Sequence, residues 1–111
     1  MKIIIAGAGD VGFHLAKLLS YESQDTYVID FNGEKLNYIN SHLDVITKKG
    51  DATSIKLLKE IGIESTDILL LDINLPGVSG LDAIPLILNK YPNLTIVMNT
   101  IKDDVDTIYK S

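Results

Sequence analysis

The chain opens Met1-Lys2-Ile3-Ile4-Ile5-Ala6-Gly7-Ala8-Gly9-Asp10-Val11-Gly12, and this stretch decides the fold. Residues 2–6 form a short apolar run rich in branched side chains, as a buried strand requires. The run opens directly into the spacing G-x-G-x-x-G at Gly7, Gly9 and Gly12. A helical pattern follows, with Val11, Leu15, Leu18 and Leu19 expected on one face. A second strand over residues 26–29 then ends on Asp30. A strand, a glycine turn, a helix, a strand and an acid in that order make the dinucleotide-binding arrangement. Gly7 permits a tight turn, Gly9 lets backbone approach a pyrophosphate, and Gly12 lets helix and strand pack closely. The helix N-terminus offers free N–H groups to phosphate, and Asp30 can accept from ribose hydroxyls. A doubly wound domain that binds nothing would also keep the glycines for packing. Packing leaves Asp30 unexplained, and it stands at the expected distance of roughly 20 residues.

Working outward, 111 residues suit one domain with one modest core. The net charge of −5 and the absence of any basic cluster longer than Lys48-Lys49 argue against nucleic acid or an anionic membrane as the main partner. There is no cysteine, hence no disulfide framework and no thiolate chemistry. No apolar run approaches the length of a membrane span, and Gly7 and Gly9 interrupt any signal-peptide pattern, so a cytoplasmic protein is expected.

The remaining sequence reads as further strand–helix units. A helix is expected from Asn32 or Gly33 to His42, carrying Leu36, Tyr38 and Ile39. A strand follows at 43–47, then a turn at Gly50-Asp51-Ala52-Thr53 into a helix bearing Ile55, Leu58 and Ile61, stopped at Gly62. Residues 68–73 are the most hydrophobic stretch and are expected to be a central strand. A turn-rich loop at 74–80 leads into a helix to Lys90, where Pro85 implies either a late start or a kink. A strand at 94–98 and a short helix from Asp103 or Asp104 through Tyr109 complete the pattern. The expected architecture is α/β and doubly wound, Rossmann-like, with a five-stranded parallel sheet in the order 3-2-1-4-5 and helices on both faces.

Other chemistry is thin. His14 and His42 share no metal-ligand spacing, and no Ser/His/Asp set with a nucleophile elbow appears. The chain is expected not to be an enzyme. Asp103, Asp104 and Asp106 read as a solvated acidic face, and the five tyrosines as scattered partial core or surface.

Residues 1 to about 66 resemble the RCK domain, also called KTN or Trk-A N-terminal, that regulates potassium transport. The resemblance rests on MKIIIAGAGDVGFHLAKLL, YVID, DVITKKGDATSIKLLKEIGI and STDIL. The second glycine turn, Lys49-Gly50-Asp51-Ala52-Thr53, separates that family from a generic dehydrogenase. The resemblance implies a domain that binds NAD(H), ATP, ADP or AMP and gates a potassium channel or transporter. It implies that Gly7, Ala8, Gly9, Asp10, Val11 and Gly12 line the pyrophosphate and that Asp30 takes the ribose. Asp51 and Ala52 would then lie on the adenine side. Asp51 can equally be the N-cap of the helix that follows it.

From about residue 67 the chain is similar to another family, the CheY-like receiver domains of response regulators. Leu70-Leu71-Asp72 and the loop to Leu81 look like the phosphoacceptor strand and its loop, with Asp72 on the phosphorylated aspartate and Pro76 and Gly80 matching beyond it. Ile96-Val97-Met98-Asn99-Thr100 looks like the next receiver strand, with Thr100 on the switch hydroxyl. Phosphoryl transfer to a carboxylate needs Mg²⁺. The acidic pair expected after the first strand is replaced by Ala6-Gly7, and the receiver lysine is missing. Asp72 is therefore read as a vestigial phosphoacceptor. Two resemblances within one sheet imply an engineered chimera joined near residues 64–70. The leading expectation is a nucleotide-binding module. A fold scaffold without ligand and a phosphoaccepting receiver are the alternatives.

Overall fold

The computed structural model describes residues 1–22, 25–52, 54–72, 80–99 and 107–109. Strand β1 (Lys2–Ala6) leads to helix α1 (Asp10–Tyr21), β2 (Asp25–Asp30), α2 (Gly33–His42) and β3 (Ile46–Lys49). Helix α3 (Ile55–Glu60), a single 3₁₀ turn (Ile63–Ser65), β4 (Ile68–Asp72), α4 (Gly80–Lys90), β5 (Thr95–Asn99) and β6 (Thr107–Tyr109) follow. The sheet order is β3-β2-β1-β4-β5-β6. The first five strands are parallel and in the expected order 3-2-1-4-5.

The last element differs from expectation. Thr107–Tyr109 is not helical but a strand, antiparallel to β5, with Val97 opposite Ile108. Its Thr-Ile-Tyr sequence favours an extended backbone. The third strand is also displaced, from 43–47 to 46–49. Leu43 and Val45 are drawn inward against α2 instead, while the edge strand carries the more exposed Ile46, Lys48 and Lys49.

Period-two alternation divides the core between two faces. Ile4 and Ala6 of β1, Ile29 of β2, and Leu69 and Leu71 of β4 pack with Leu58 of α3 and Ile84 and Ile87 of α4. Ile3 and Ile5 of β1 and Val28 of β2 turn to the other face, under Ala16 of α1 and Leu36 and Ile39 of α2. Within α1 the inward face is Gly12 and Ala16 with Leu15 and Leu19 partly buried, whereas Leu18, expected to face inward, is 61% exposed. Small residues lie innermost because α1 sits close on β1.

Cap residues set the helix limits. Asn32 caps α2, its side-chain oxygen accepting from the Glu34 and Lys35 N–H groups at 3.0 and 3.2 Å. Ser54 caps α3, accepting from the Leu57 N–H at 3.3 Å. The cap of α3 is thus Ser54 rather than Asp51. Ser54→Ala is expected to cost about 1 kcal/mol, seen as a lowered thermal midpoint. Gly62 follows α3 with φ +84°, the left-handed stop expected of it. Lys2 Nζ donates to the Ile61 and Gly62 carbonyls at 2.6 and 2.9 Å, closing that helix end from β1. Pro85 does lie inside α4, and it is exposed. Lys90 ends α4 beside Lys59 of α3. Contact with the Lys59 amine, and its like charge, hold Lys90 below the usual lysine range.

Candidate functional site

Strand order reverses between β1 and β4, so a crevice opens at the carboxyl ends of these strands, where doubly wound sheets take ligands. The glycine turn occupies that point. Gly7 has φ +122°, a conformation favouring glycine, and its N–H donates to the Ile29 carbonyl at 2.8 Å. Gly12 touches the same turn from the first coil of α1. A Cβ there would run into the Gly7 carbonyl oxygen and come within 3.0 Å of the Gly7 carbonyl carbon. Gly9 is the opposite case, since a Cβ on it would meet nothing within 4 Å. It occupies the N-cap position of α1 and brings no side chain to accept from the first-turn amides. Those amides and the positive end of the helix dipole suit an anion.

Asp30 ends β2 beside this turn. Its carboxylate accepts from the Ala8 N–H at 2.7 Å through Oδ2 and from the Asn32 N–H at 2.8 Å through Oδ1. Its main-chain carbonyl accepts from the Gly50 N–H at 3.0 Å. One residue therefore ties together the chain ends that follow β1, β2 and β3. Each carboxylate oxygen keeps acceptor capacity beyond its single backbone donor.

The second glycine turn lies on the far side of β2. Gly50 has φ +154°, Asp51 is half-buried, and its carbonyl accepts from the Ser54 N–H at 3.1 Å. Ala52 is buried in the core under α3. Asp10 and Val11 begin α1, and their side chains lie outside the described residues. Asp72 ends β4, one position past Leu71, the partner of Ala6. Its side chain, the loop at 73–79 with Pro76, and Thr100 also lie outside the described residues.

Sequence reasoning passed over the cleft between α1 and α2. It holds about 580 Å³ and is lined by Ala8, Gly9, Phe13, Glu34, Lys35 and Tyr38. The Phe13 and Tyr38 rings stand 5.4 Å apart, and His42 lies 4.2 Å beyond Tyr38. Tyr38 and His42 share α2, and the packing of α1 on α2 brings Phe13 to them. The available signal was their helical spacing: Tyr38 and His42 are four residues apart on one helix face. Among the described residues no cluster of three or more His, Asp or Glu side chains could hold a metal, and no helix is long and apolar enough to cross a membrane.

The profile of the TrkA-N domain matches residues 3–110 of this chain. The chain belongs to the TrkA-N domain family. TrkA-N domains are nucleotide-binding regulatory modules and not enzymes. The "Trk system potassium uptake protein TrkA homolog" of Archaeoglobus fulgidus is 36% identical over 87 residues, covering 78% of this chain and 18% of that protein. The "Trk system potassium uptake protein TrkA" of Halomonas elongata is 39% identical over 70 residues, covering 63% and 15%. The chain thus spans less than a fifth of the length of these relatives. Among solved structures, the Kef CTD of Shewanella denitrificans, in an AMP-bound form, is similar with a TM-score of 0.66 and 26% identity. That similarity covers 88% of this chain and 57% of the other.

The TrkA-N match, over residues 3–110, spans residues 64–70. It gives no support to a junction there, to an engineered chimera, or to a receiver-derived second half. The physical reason is plain in the sheet. Leu69 and Leu71 of β4 are fully buried between β1 and β5, and any central parallel strand needs such residues. The apolar run before Asp72 is what the fourth position of this sheet demands, so burial alone accounts for it.

Proposed function

We propose that this TrkA-N domain senses a nucleotide and passes its binding state to a potassium channel or transporter. The observation that carries the reading is the Asp30 carboxylate, held by the Ala8 and Asn32 amides beside the open, uncapped start of α1 at Gly9. In this reading Gly7, Ala8, Gly9, Asp10, Val11 and Gly12 line the pyrophosphate, which the first-turn amides of α1 receive, and Asp30 takes ribose hydroxyls. Asp51 and Ala52, beyond β2, border the adenine. NAD(H) is the ligand class that the two-part site suits, and ATP, ADP or AMP fill its adenosine half. The AMP in the Kef relative favours the mononucleotides. The transporter partner follows from the potassium-uptake relatives, and with it a place on the cytoplasmic side of the membrane.

Isothermal titration calorimetry with NADH, NAD⁺, ATP, ADP and AMP tests the reading. At least one is expected to bind with one-to-one stoichiometry. Absence of heat for all five, on folded protein, would leave a scaffold without ligand as the better account.

A further inference from the structure

Asp30 is held in place by a chain of contacts that leads away from the ligand. Its Oδ1 accepts from the Asn32 N–H at 2.8 Å. Asn32 is fixed in turn by its own side chain, whose oxygen accepts from the Glu34 and Lys35 N–H groups as the cap of α2. The Asn32 backbone is extended, with φ −86° and ψ +104°, so it cannot continue the helix and depends on that cap for its position. On the other side, Oδ2 is fixed by the Ala8 N–H at 2.7 Å. With each oxygen holding one backbone donor, the carboxylate plane is set before any ligand arrives. The remaining acceptor capacity, shared between the two oxygens, suits the two neighbouring hydroxyls of an unmodified ribose.

We infer that Asn32 is a positioning residue for ribose recognition: by capping α2 it fixes the amide that orients the Asp30 carboxylate toward the 2′- and 3′-hydroxyls of a nucleotide. This rests on the proposed role of Asp30. The ligand selected is a nucleotide with a free cis-diol. Asn32 itself touches no ligand, so its effect is confined to the part of the affinity that comes from the diol.

The test measures binding of ATP and of 2′,3′-dideoxy-ATP to the wild-type chain, Asn32→Ala and Asn32→Ser. Wild type is expected to prefer ATP by about tenfold or more, the worth of hydrogen bonds to a charged acceptor. Asn32→Ala is expected to bind ATP on the order of tenfold more weakly while leaving dideoxy-ATP within about twofold, so that the preference collapses. Asn32→Ser, which keeps a capping oxygen, is expected to restore it. An equal loss for both nucleotides would mark a general loosening of the fold and overturn the inference. A preference that survives Asn32→Ala overturns it alone. A wild type with no preference for ATP, or no binding, overturns the role of Asp30 together with it.

Discussion

Gly12→Ala is expected to cost about 3 kcal/mol of stability, a large part of the 5–15 kcal/mol that holds a typical domain folded. The added methyl would overlap the Gly7 carbonyl oxygen and crowd the Gly7 carbonyl carbon at 3.0 Å and Ile5 Cγ2 at 3.6 Å. The first two are backbone atoms of a turn fixed by the Gly7-to-Ile29 hydrogen bond, so no side-chain rotation relieves them. Either α1 lifts off β1, opening the layer over Ile3 and Ile5, or the turn itself is displaced. Urea unfolding should show a lower midpoint with an unchanged slope. Gly9→Ala is the matched control, because its methyl meets nothing within 4 Å and its φ is −72°. Its stability should lie within about 0.5 kcal/mol of wild type. Equal midpoints for Gly12→Ala and wild type would show that helix and strand have room to separate.

Asp30→Ala is expected to act on both binding and stability. Hydrogen bonds to a charged partner are worth about 1.5–3 kcal/mol, and nucleotide affinity should fall by roughly that amount. The same change strips the Ala8 and Asn32 amides of their acceptor. The Ala8 amide is partly buried, so the apo domain should lose about 1 kcal/mol as well. Calorimetry with NADH and ATP reads the first effect, and chemical unfolding without nucleotide reads the second. Affinity unchanged by Asp30→Ala would place the ribose away from β2, whatever the stability does.

The first half of the fold was legible because its signals are local and agree. Branched residues at 2–6, the glycine spacing and Asp30 each constrain the same βαβ unit, and Gly62 could only be a stop. The misreadings arose where several residues could do one job or where neighbours decide. Asp51, Thr53 and Ser54 are all competent caps, and only the observed bond to Leu57 selects Ser54. β3 is an edge strand with three exposed positions, so no hydrophobic pattern fixes its register. Tyr109 and Ile108 suit a helix or a strand, and pairing with β5 decides. Within the candidate site, Gly7, Gly12 and Asp30 could be read from spacing. The Phe13–Tyr38 wall could not, since it joins two helices whose packing angle no short motif encodes. The receiver-like reading of residues 67–81 finds no support in the family match, and the burial of β4 accounts for its apolar part.

The strand order has a consequence for how the chain comes to fold during synthesis. β1 is made first, yet it lies inside the sheet, with β2 on one side and β4 on the other. Once residue 49 has emerged, β1, β2 and β3 can already pair. The other edge of β1 then stays bare until Ile68–Leu71 are made to pair with Ile3–Ala6. Throughout that interval an unpaired row of backbone donors and acceptors flanks Ile4, which is fully buried in the finished molecule. Such an edge invites pairing with another nascent chain. Slow elongation between residues 50 and 68 should therefore lower the yield of correctly folded chain, and faster elongation there should raise it.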